Sequence, residues 1–173
     1  MTEKQEKILN VALKLFAEHG FHATSTNKIA KVAGVSEGLI FRHFEDKPRL
    51  LKAVLQLGHE KVQQLYNQFL TQNDPKKVIL SIIELPFKVD KDQFHFWKLI
   101  YALKWQAEVY DNSISEPLRK ALIAAFHELG YEKPVVEAEV VLIIIDGIAT
   151  SVLLRKPENR QEILLSILKK YKL

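Results

Sequence analysis

The chain has 173 residues, of which 47% are hydrophobic and 27% charged, the ordinary balance of one or two globular domains. It contains no cysteine, which excludes disulfides and thiol catalysis, and its six glycines and six prolines are few for an all-β protein. The net charge is +4, and the segment ending at Lys52 carries an excess of three, with nine basic against six acidic residues.

The sequence offers no sign of export or membrane insertion. The first residues are polar and of mixed charge, so no secretory signal is expected there. The most apolar run, Val140–Leu154, contains Asp146 and is shorter than the roughly twenty residues of a membrane span. We therefore expect a soluble, cytoplasmic protein with a buried helix in this region.

Apolar residues recur at spacings of three and four along nearly the whole chain, which predicts helices and almost no strands. A first helix is expected to end at Gly20, where a left-handed residue closes the last turn. A short second helix is predicted over residues 27–33, ending at Gly34. Ser36 is expected to cap a third short helix that reaches about Phe44.

Six longer helices are predicted after these three. The fourth extends to about Thr71, the eighth covers Pro134–Leu154 and the ninth Glu158–Tyr171. The fold class is therefore all-α, a three-helix helix-turn-helix head on a six-helix bundle. The predicted division lies between residues 1–46, which contain the head, and residues 47–173, which contain the bundle.

Ala33–Ser36 joins the second and third helices, and a glycine in such a short turn is typical of a helix-turn-helix. Residues predicted to pack this pair against the first helix are Ile29, Ala30, Val35, Ile40 and Phe44. Residues expected to face outward near the start of the third helix are Glu37, Gly38, Leu39 and Arg42, where groove-contacting side chains lie. Two interpretations of Glu37 stay open, interaction with the positive helix end or a contact with cytosine N4.

Residues 8–55 resemble the DNA-binding domain of the tetracycline-repressor (TetR) family. The matching residues are Ile8–Phe21, Ala23–Thr26, Ile29, Ala30, Ala33–Ser36, Gly38, His43, Phe44, Lys47, Leu50 and Leu51. The rest of the chain matches the family only in helical layout and length. The resemblance implies a DNA-binding domain over residues 1–46 and an effector-binding and dimerisation domain over residues 47–173. The resemblance implies a homodimeric transcriptional regulator, most directly a repressor, that leaves a palindromic double-stranded DNA operator when a small effector binds.

The resemblance also implies which residues contact DNA: Thr26, Asn27, Lys28, Ser36, Glu37, Gly38, Leu39, Phe41, Arg42, His43 and Lys47. Thr26 is expected to cap the second helix and donate to a phosphate, and His43 and Lys47 match phosphate-contacting positions. Two residues depart from the family. Phe41 stands where tyrosine is usual, which removes one phosphate hydrogen bond. Leu39 stands where threonine is frequent, so it can touch a thymine methyl but cannot donate.

Aromatic residues cluster on the fourth to seventh helices, in greater number than a small helical core usually requires. Trp97, Tyr101 and Trp105 recur every four residues and so share one helix face. The predicted effector-site residues are Tyr66, Phe69, Phe94, Trp97, Tyr101, Trp105, Phe126 and His127. We expect a small lipophilic or aromatic effector of weak charge. An aromatic stripe can also be ordinary core, and that alternative stays open.

The eighth helix is apolar nearly all round, which requires cover on several sides. Two-fold pairing of the eighth and ninth helices supplies that cover, and Gly147 allows close helix approach. The residues predicted at this dimer interface are Val136, Val140, Ile144, Gly147, Ile148, Ser151, Leu164, Ile167 and Leu168.

Other functions find weak support in the sequence. Residues 34–38 fit the G-x-S-x-G motif of hydrolases, but that motif requires a preceding strand. His19 with His22, and Asp90 with Asp92, lack the surroundings of a metal site. No enzyme activity, metal or cofactor is therefore expected. A helical DNA-associated protein without an effector, acting through a protein partner, remains an alternative.

Overall fold

The computed structural model describes residues 1–70, 72–104 and 114–171, and no described residue lies in a strand. The helices are α1 (Glu3–His19), α2 (Thr26–Ala33), α3 (Glu37–Phe44), α4 (Lys47–Leu70), α5 (Pro75–Glu84), α6 (Lys91–Leu103), α7 (Glu116–Glu128), α8 (Pro134–Leu154) and α9 (Arg160–Lys170). The predicted all-α class and the predicted bounds of α8 are confirmed.

Two segments differ from the sequence prediction. A 3-10 turn, Leu85–Lys88, follows α5 where only a break was predicted, because Pro86 has no N–H for an α-helical hydrogen bond. The ninth helix begins at Arg160 rather than Glu158 and ends at Lys170 rather than Tyr171. The predicted end of the sixth helix and residue Thr71 lie outside the described residues.

The described chain forms two compact units. The first unit contains Met1–Val62 and the described part of Lys91–Tyr110, and the second contains Gln63–Asp90 and the described part of Asp111–Leu173. The division after residue 46 that the sequence suggests concerns function, and it stays a prediction.

Local signals in the sequence set both ends of α1. At its start the Thr2 hydroxyl accepts the Gln5 N–H, and the Gln5 side chain accepts the Thr2 N–H, which forms a capping box. At its end Gly20 has φ 84° and donates its N–H to the Phe16 carbonyl. The Phe21 ring then packs on Phe16 with 5.3 Å between centroids. The predicted glycine stop is confirmed.

The core of the first unit includes residues from a helix far along the sequence. Leu99 and Leu103 of α6 are buried in the same cluster as Ile8 and Phe16 of α1. A contact between His95 Nε2 and Glu18 Oε1, 3.4 Å apart, joins the same two helices. Because α6 completes this core, its position is coupled to that of α1.

Gly58 of α4 packs directly against the ring of Phe96 on α6. A Cβ added at Gly58 would lie 1.9 Å from Cε2 of Phe96, far inside contact distance. Phe96 is buried, so its ring has little space to move aside. Glycine at position 58 thus allows α4 and α6 to approach closely.

In the second unit α7 packs against α8, with Leu122, Ala138 and Val141 fully buried. The buried ring of Phe126 packs edge-on against Tyr131, with 4.9 Å between centroids. Arg119 pairs with Glu139 across the same two helices. Within the described ranges, none of the helices combines the length and the apolar character that a bilayer span requires.

Replacing Gly58 tests the close packing of α4 on α6. Gly58→Ala is expected to lower the free energy of unfolding by about 1–3 kcal/mol, because overpacking outweighs the gain in helix propensity. Gly38→Ala is the matched control, since its added Cβ meets no atom within 4 Å. Urea unfolding measures both variants. Gly58→Ala as stable as the original chain would contradict the packing described.

Candidate nucleic-acid interface

The start of α2 is capped by Ser25, not by Thr26 as predicted. Ser25 has the extended backbone of an N-cap, and its Oγ accepts the N–H of Lys28 at 3.1 Å. Thr26 already has helical geometry, so its hydroxyl is directed elsewhere. Thr24 is fully buried, and its hydroxyl donates to the carbonyls of Leu15 and Gly20. Thr24 therefore secures the loop between α1 and α2, a role that its sequence position did not reveal.

The turn between α2 and α3 depends on Gly34. Its φ of 66° and ψ of 39° are left-handed, and its N–H points to the carbonyls of Ala30 and Lys31. Ser36 then caps α3, because its Oγ accepts the Leu39 N–H at 3.3 Å. Residues 34–38 therefore form a turn after a helix, and the serine of the G-x-S-x-G pattern is a cap. Among the described residues, no group of three His, Asp or Glu is placed to hold a metal.

One face of α3 is buried and another is open. Ile40 is buried with Ile29 of α2 in the core, as predicted. Gly38, Arg42 and Phe41 are exposed, and 44% of Phe41 is accessible. The helix therefore presents a cation, an aromatic ring and a bare backbone to solvent.

Leu39 does not face outward as predicted. It is partly buried and packs against the core of the first unit. Leu39 is adjacent to the buried Ile40, and packing against the core removes part of its apolar side chain from water. Arg42 and Phe41 are thus better placed than Leu39 to extend from α3.

Glu37 links the starts of α2 and α3. The Thr26 hydroxyl donates to its Oε1 at 2.6 Å, and the Asn27 amide donates to its Oε2 at 3.2 Å. The hydrogen bond from Thr26 and, second, that from Asn27 lower the pKa of Glu37 from its ordinary value. The charged form of the carboxylate is therefore favoured, and it lies between two other residues predicted to contact DNA.

Lys47, the first residue of α4, folds back over the loop after α1. Its Nζ donates to the His22 carbonyl at 3.3 Å and lies 4.5 Å from the centroid of the Phe21 ring. Asp46 fixes the start of α4 by accepting the Arg49 N–H at 2.7 Å. The ammonium group of Lys47 is therefore held at a defined place beside the helix-turn-helix.

His43 is oriented by Gln5, a residue that the sequence did not single out. The Gln5 amide Nε2 lies 3.3 Å from His43 Nδ1, and Gln5 Oε1 accepts the Thr2 N–H at 2.8 Å. Because an amide nitrogen only donates, Nδ1 must accept, and a neutral His43 carries its proton on Nε2. This tautomer gives His43 an N–H on the opposite side of its ring, suited to a phosphate oxygen.

The remaining predicted DNA-contacting residues are exposed on α2 and in the turn before α3. Lys28 and Asn27 are exposed on the first turns of α2, and Ser36 is exposed in the turn before α3. All eleven residues predicted to contact DNA thus lie in the first compact unit.

The predicted effector-site residues divide between the two units. Phe94, Trp97 and Tyr101 are partly buried on α6 in the first unit. Tyr66 and Phe126 are buried in the second unit, where His127 is exposed. The side chain of Phe69 and the whole of Trp105 lie outside the described residues.

The exposed face of α8 agrees with the predicted dimer face only in part. One exposed row contains Val136, Val140, Ile143, Gly147 and Leu154, and Ile143 is 68% accessible. Ile148 of α8 and Leu164 of α9, both predicted at the dimer interface, are buried within the chain itself. Ile144, Ser151, Ile167 and Leu168 are partly buried. Because α8 packs on α7, the apolar stripe that stays exposed is centred on a different side of α8 from the predicted one.

Comparison with known proteins identifies the family. The family model "Bacterial regulatory proteins, tetR family" matches residues 8–54. The chain is 36% identical over 83 residues to the HTH-type transcriptional regulator AcrR of Shigella flexneri, covering 47% of this chain and 39% of AcrR. Residues 8–54 are thus a DNA-binding domain of the TetR family. A second relative is YerO of Bacillus subtilis, an uncharacterized HTH-type transcriptional regulator. It is 31% identical over 104 residues, covering 58% of this chain and 36% of YerO.

The chain thus spans less than half the length of these two relatives. Solved structures match nearly the whole chain. A protein from Saccharomonospora viridis in complex with choline has a TM-score of 0.78 at 19% identity, covering 98% of this chain and 97% of that one. The fatty acid degradation regulator FadR from Bacillus halodurans has a TM-score of 0.73 at 19% identity, covering 98% and 94%. These structures share the fold of the chain.

Proposed function

We propose that the protein is a transcriptional regulator that places α3 in the major groove of operator DNA. The observation that carries this proposal is the helix-turn-helix itself, in which one face of α3, with Gly38, Phe41 and Arg42, is open to solvent. The exposed Arg42 and the fixed ammonium of Lys47 supply positive charge beside this helix. Repression, cytoplasmic location and the lack of enzyme activity form part of the same proposal.

The proposed active form is a homodimer paired through α8 and α9. The exposed row Val136, Val140, Ile143, Gly147 and Leu154 follows helical spacing, so one apolar stripe runs along α8 opposite its buried face. A second copy of the same stripe covers it by two-fold symmetry. Two heads related by such an axis fit a palindromic operator.

The proposed effector is a small lipophilic or aromatic molecule that contacts the rings of α6. Trp97 and Tyr101 lie on one face, and Phe94 is one turn earlier. A protein of this fold is known in complex with choline. Because Leu99 and Leu103 of α6 share a core with α1, a ligand that shifts α6 also shifts the first helix of the head. An effector that favours the DNA-incompetent state then releases the operator.

The Lys47 contact provides a direct test of DNA binding. Lys47→Ala is expected to weaken binding to all duplexes similarly and to lower the slope of log K against log salt by about one per head, because one phosphate contact is lost. Lys52→Ala is the control, since it removes the same charge from the same helix about 140° away. Equal effects of the two variants on affinity and slope would refute the Lys47 contact.

The proposed dimer is tested on α8. Ile143→Asp places a charge in the middle of the apolar stripe and is expected to give monomers in sedimentation velocity. Val135→Asp is the control, because Val135 is 49% exposed but lies about 100° from Val136 around the helix. Dimers of unchanged affinity in Ile143→Asp would place the interface elsewhere.

The proposed effector site is tested on α6. Lipophilic or aromatic compounds that release the chain from DNA are expected to change tryptophan emission. In Trp97→Ala, release should require at least about tenfold more compound, because a large contact surface is lost, while DNA affinity stays unchanged. Tyr131→Ala removes a ring from the second unit as a control. Release that survives unchanged in both Trp97→Ala and Tyr101→Ala would place the effector site elsewhere.

A further inference from the structure

Glu37 accepts hydrogen bonds from two side chains of the proposed interface. Each oxygen of its carboxylate has one donor, the hydroxyl of Thr26 on one side and the amide of Asn27 on the other. Thr26 and Asn27 are the first two residues of α2, and Glu37 is the first residue of α3. One anionic side chain thus holds together the starts of both helices.

The same two donors are suited to the DNA backbone. Hydroxyl and amide side chains donate to phosphate oxygens in many protein–DNA complexes. A phosphate that approaches Thr26 or Asn27 meets a carboxylate that already accepts those hydrogen bonds. The carboxylate also has the same sign of charge as the phosphate, so their proximity is unfavourable.

Glu37 needs another donor if it gives up Thr26 and Asn27. Phosphate and sugar-ring oxygens only accept, so the DNA backbone offers no such donor. The major groove offers one in the N4 amino group of cytosine, which pairs with glutamate and aspartate side chains. Position 37 opens the helix whose first turns meet base edges in helix-turn-helix proteins.

We propose that Glu37 is a specificity-determining residue that withholds Thr26 and Asn27 from DNA of arbitrary sequence. At a matching site, a cytosine amino group takes over the carboxylate, and the two donors turn to phosphates. Base identity is thereby linked to backbone contact. This inference rests on the proposed function, since it requires that α3 enters the major groove.

The test compares two DNA probes with two variants of the full chain. The probes are the best duplex recovered from a random pool and the unselected pool itself. Glu37→Gln removes the charge but keeps the shape, and is expected to tighten binding to the unselected pool about tenfold, because a charge-assisted hydrogen bond no longer opposes it. Glu45→Gln is the control, since this exposed acid in the same unit pairs with Arg49 instead.

Base substitution supplies a second measurement. Replacing one C·G pair of the recovered duplex is expected to lower the affinity of the original chain about tenfold. The affinity of Glu37→Gln should not change with that replacement. Thr26→Val supplies a third measurement. In its background Glu37→Gln should tighten binding to the unselected pool by less than it does alone, because only Asn27 remains to be released. A purely structural role for Glu37 predicts none of these differences.

The outcomes separate the inference from the proposed function. The inference is overturned if the original chain binds DNA but Glu37→Gln lowers the affinity for both probes. It is also overturned if Glu37→Gln and Glu45→Gln bind the unselected pool with the same affinity. It is also overturned if the gain from Glu37→Gln persists unchanged in Thr26→Val. An original chain that binds neither probe overturns the proposed function as well.

Discussion

The left-handed backbone of Gly34 sets the angle between α2 and α3, and every part of the proposed interface depends on that angle. A side chain at this φ of 66° strains the backbone, whereas glycine adopts it freely. With the angle fixed, Ile29 and Ile40 both reach the core. The opposite side of α3 then faces solvent. The hydrogen bonds from Thr26 and Asn27 to Glu37 tie the two helices together at their starts.

The head is completed by a helix that comes late in the sequence. Leu99 and Leu103 of α6 fill the same core as Ile8 of α1, and Phe96 lies against the bare backbone of Gly58. A close-packed interior transmits small displacements rather than absorbing them. The rings on the other side of α6 are therefore mechanically linked to the helix-turn-helix through packing within one unit.

Local signals allowed much of this fold to be predicted from the sequence. Gly20, Gly34 and Ser36 act on their own helix ends, so their roles followed from neighbouring residues alone. Exposure and hydrogen-bond partners that depend on packing between distant segments could not be predicted. Ile143 rather than Ile144 is exposed because α7 covers the other face of α8. The partners of Glu37 lie ten and eleven residues away, and no spacing rule joins them.

Selection of bound duplexes from a random DNA pool is the measurement that bears most directly on the central claim. A two-fold dimer that inserts one α3 per half-site should enrich a palindromic consensus whose half-sites are separated by about one helical turn of DNA or a multiple of it. Enrichment of a single asymmetric site, or of no sequence above the starting pool, would contradict a dimeric operator-binding regulator.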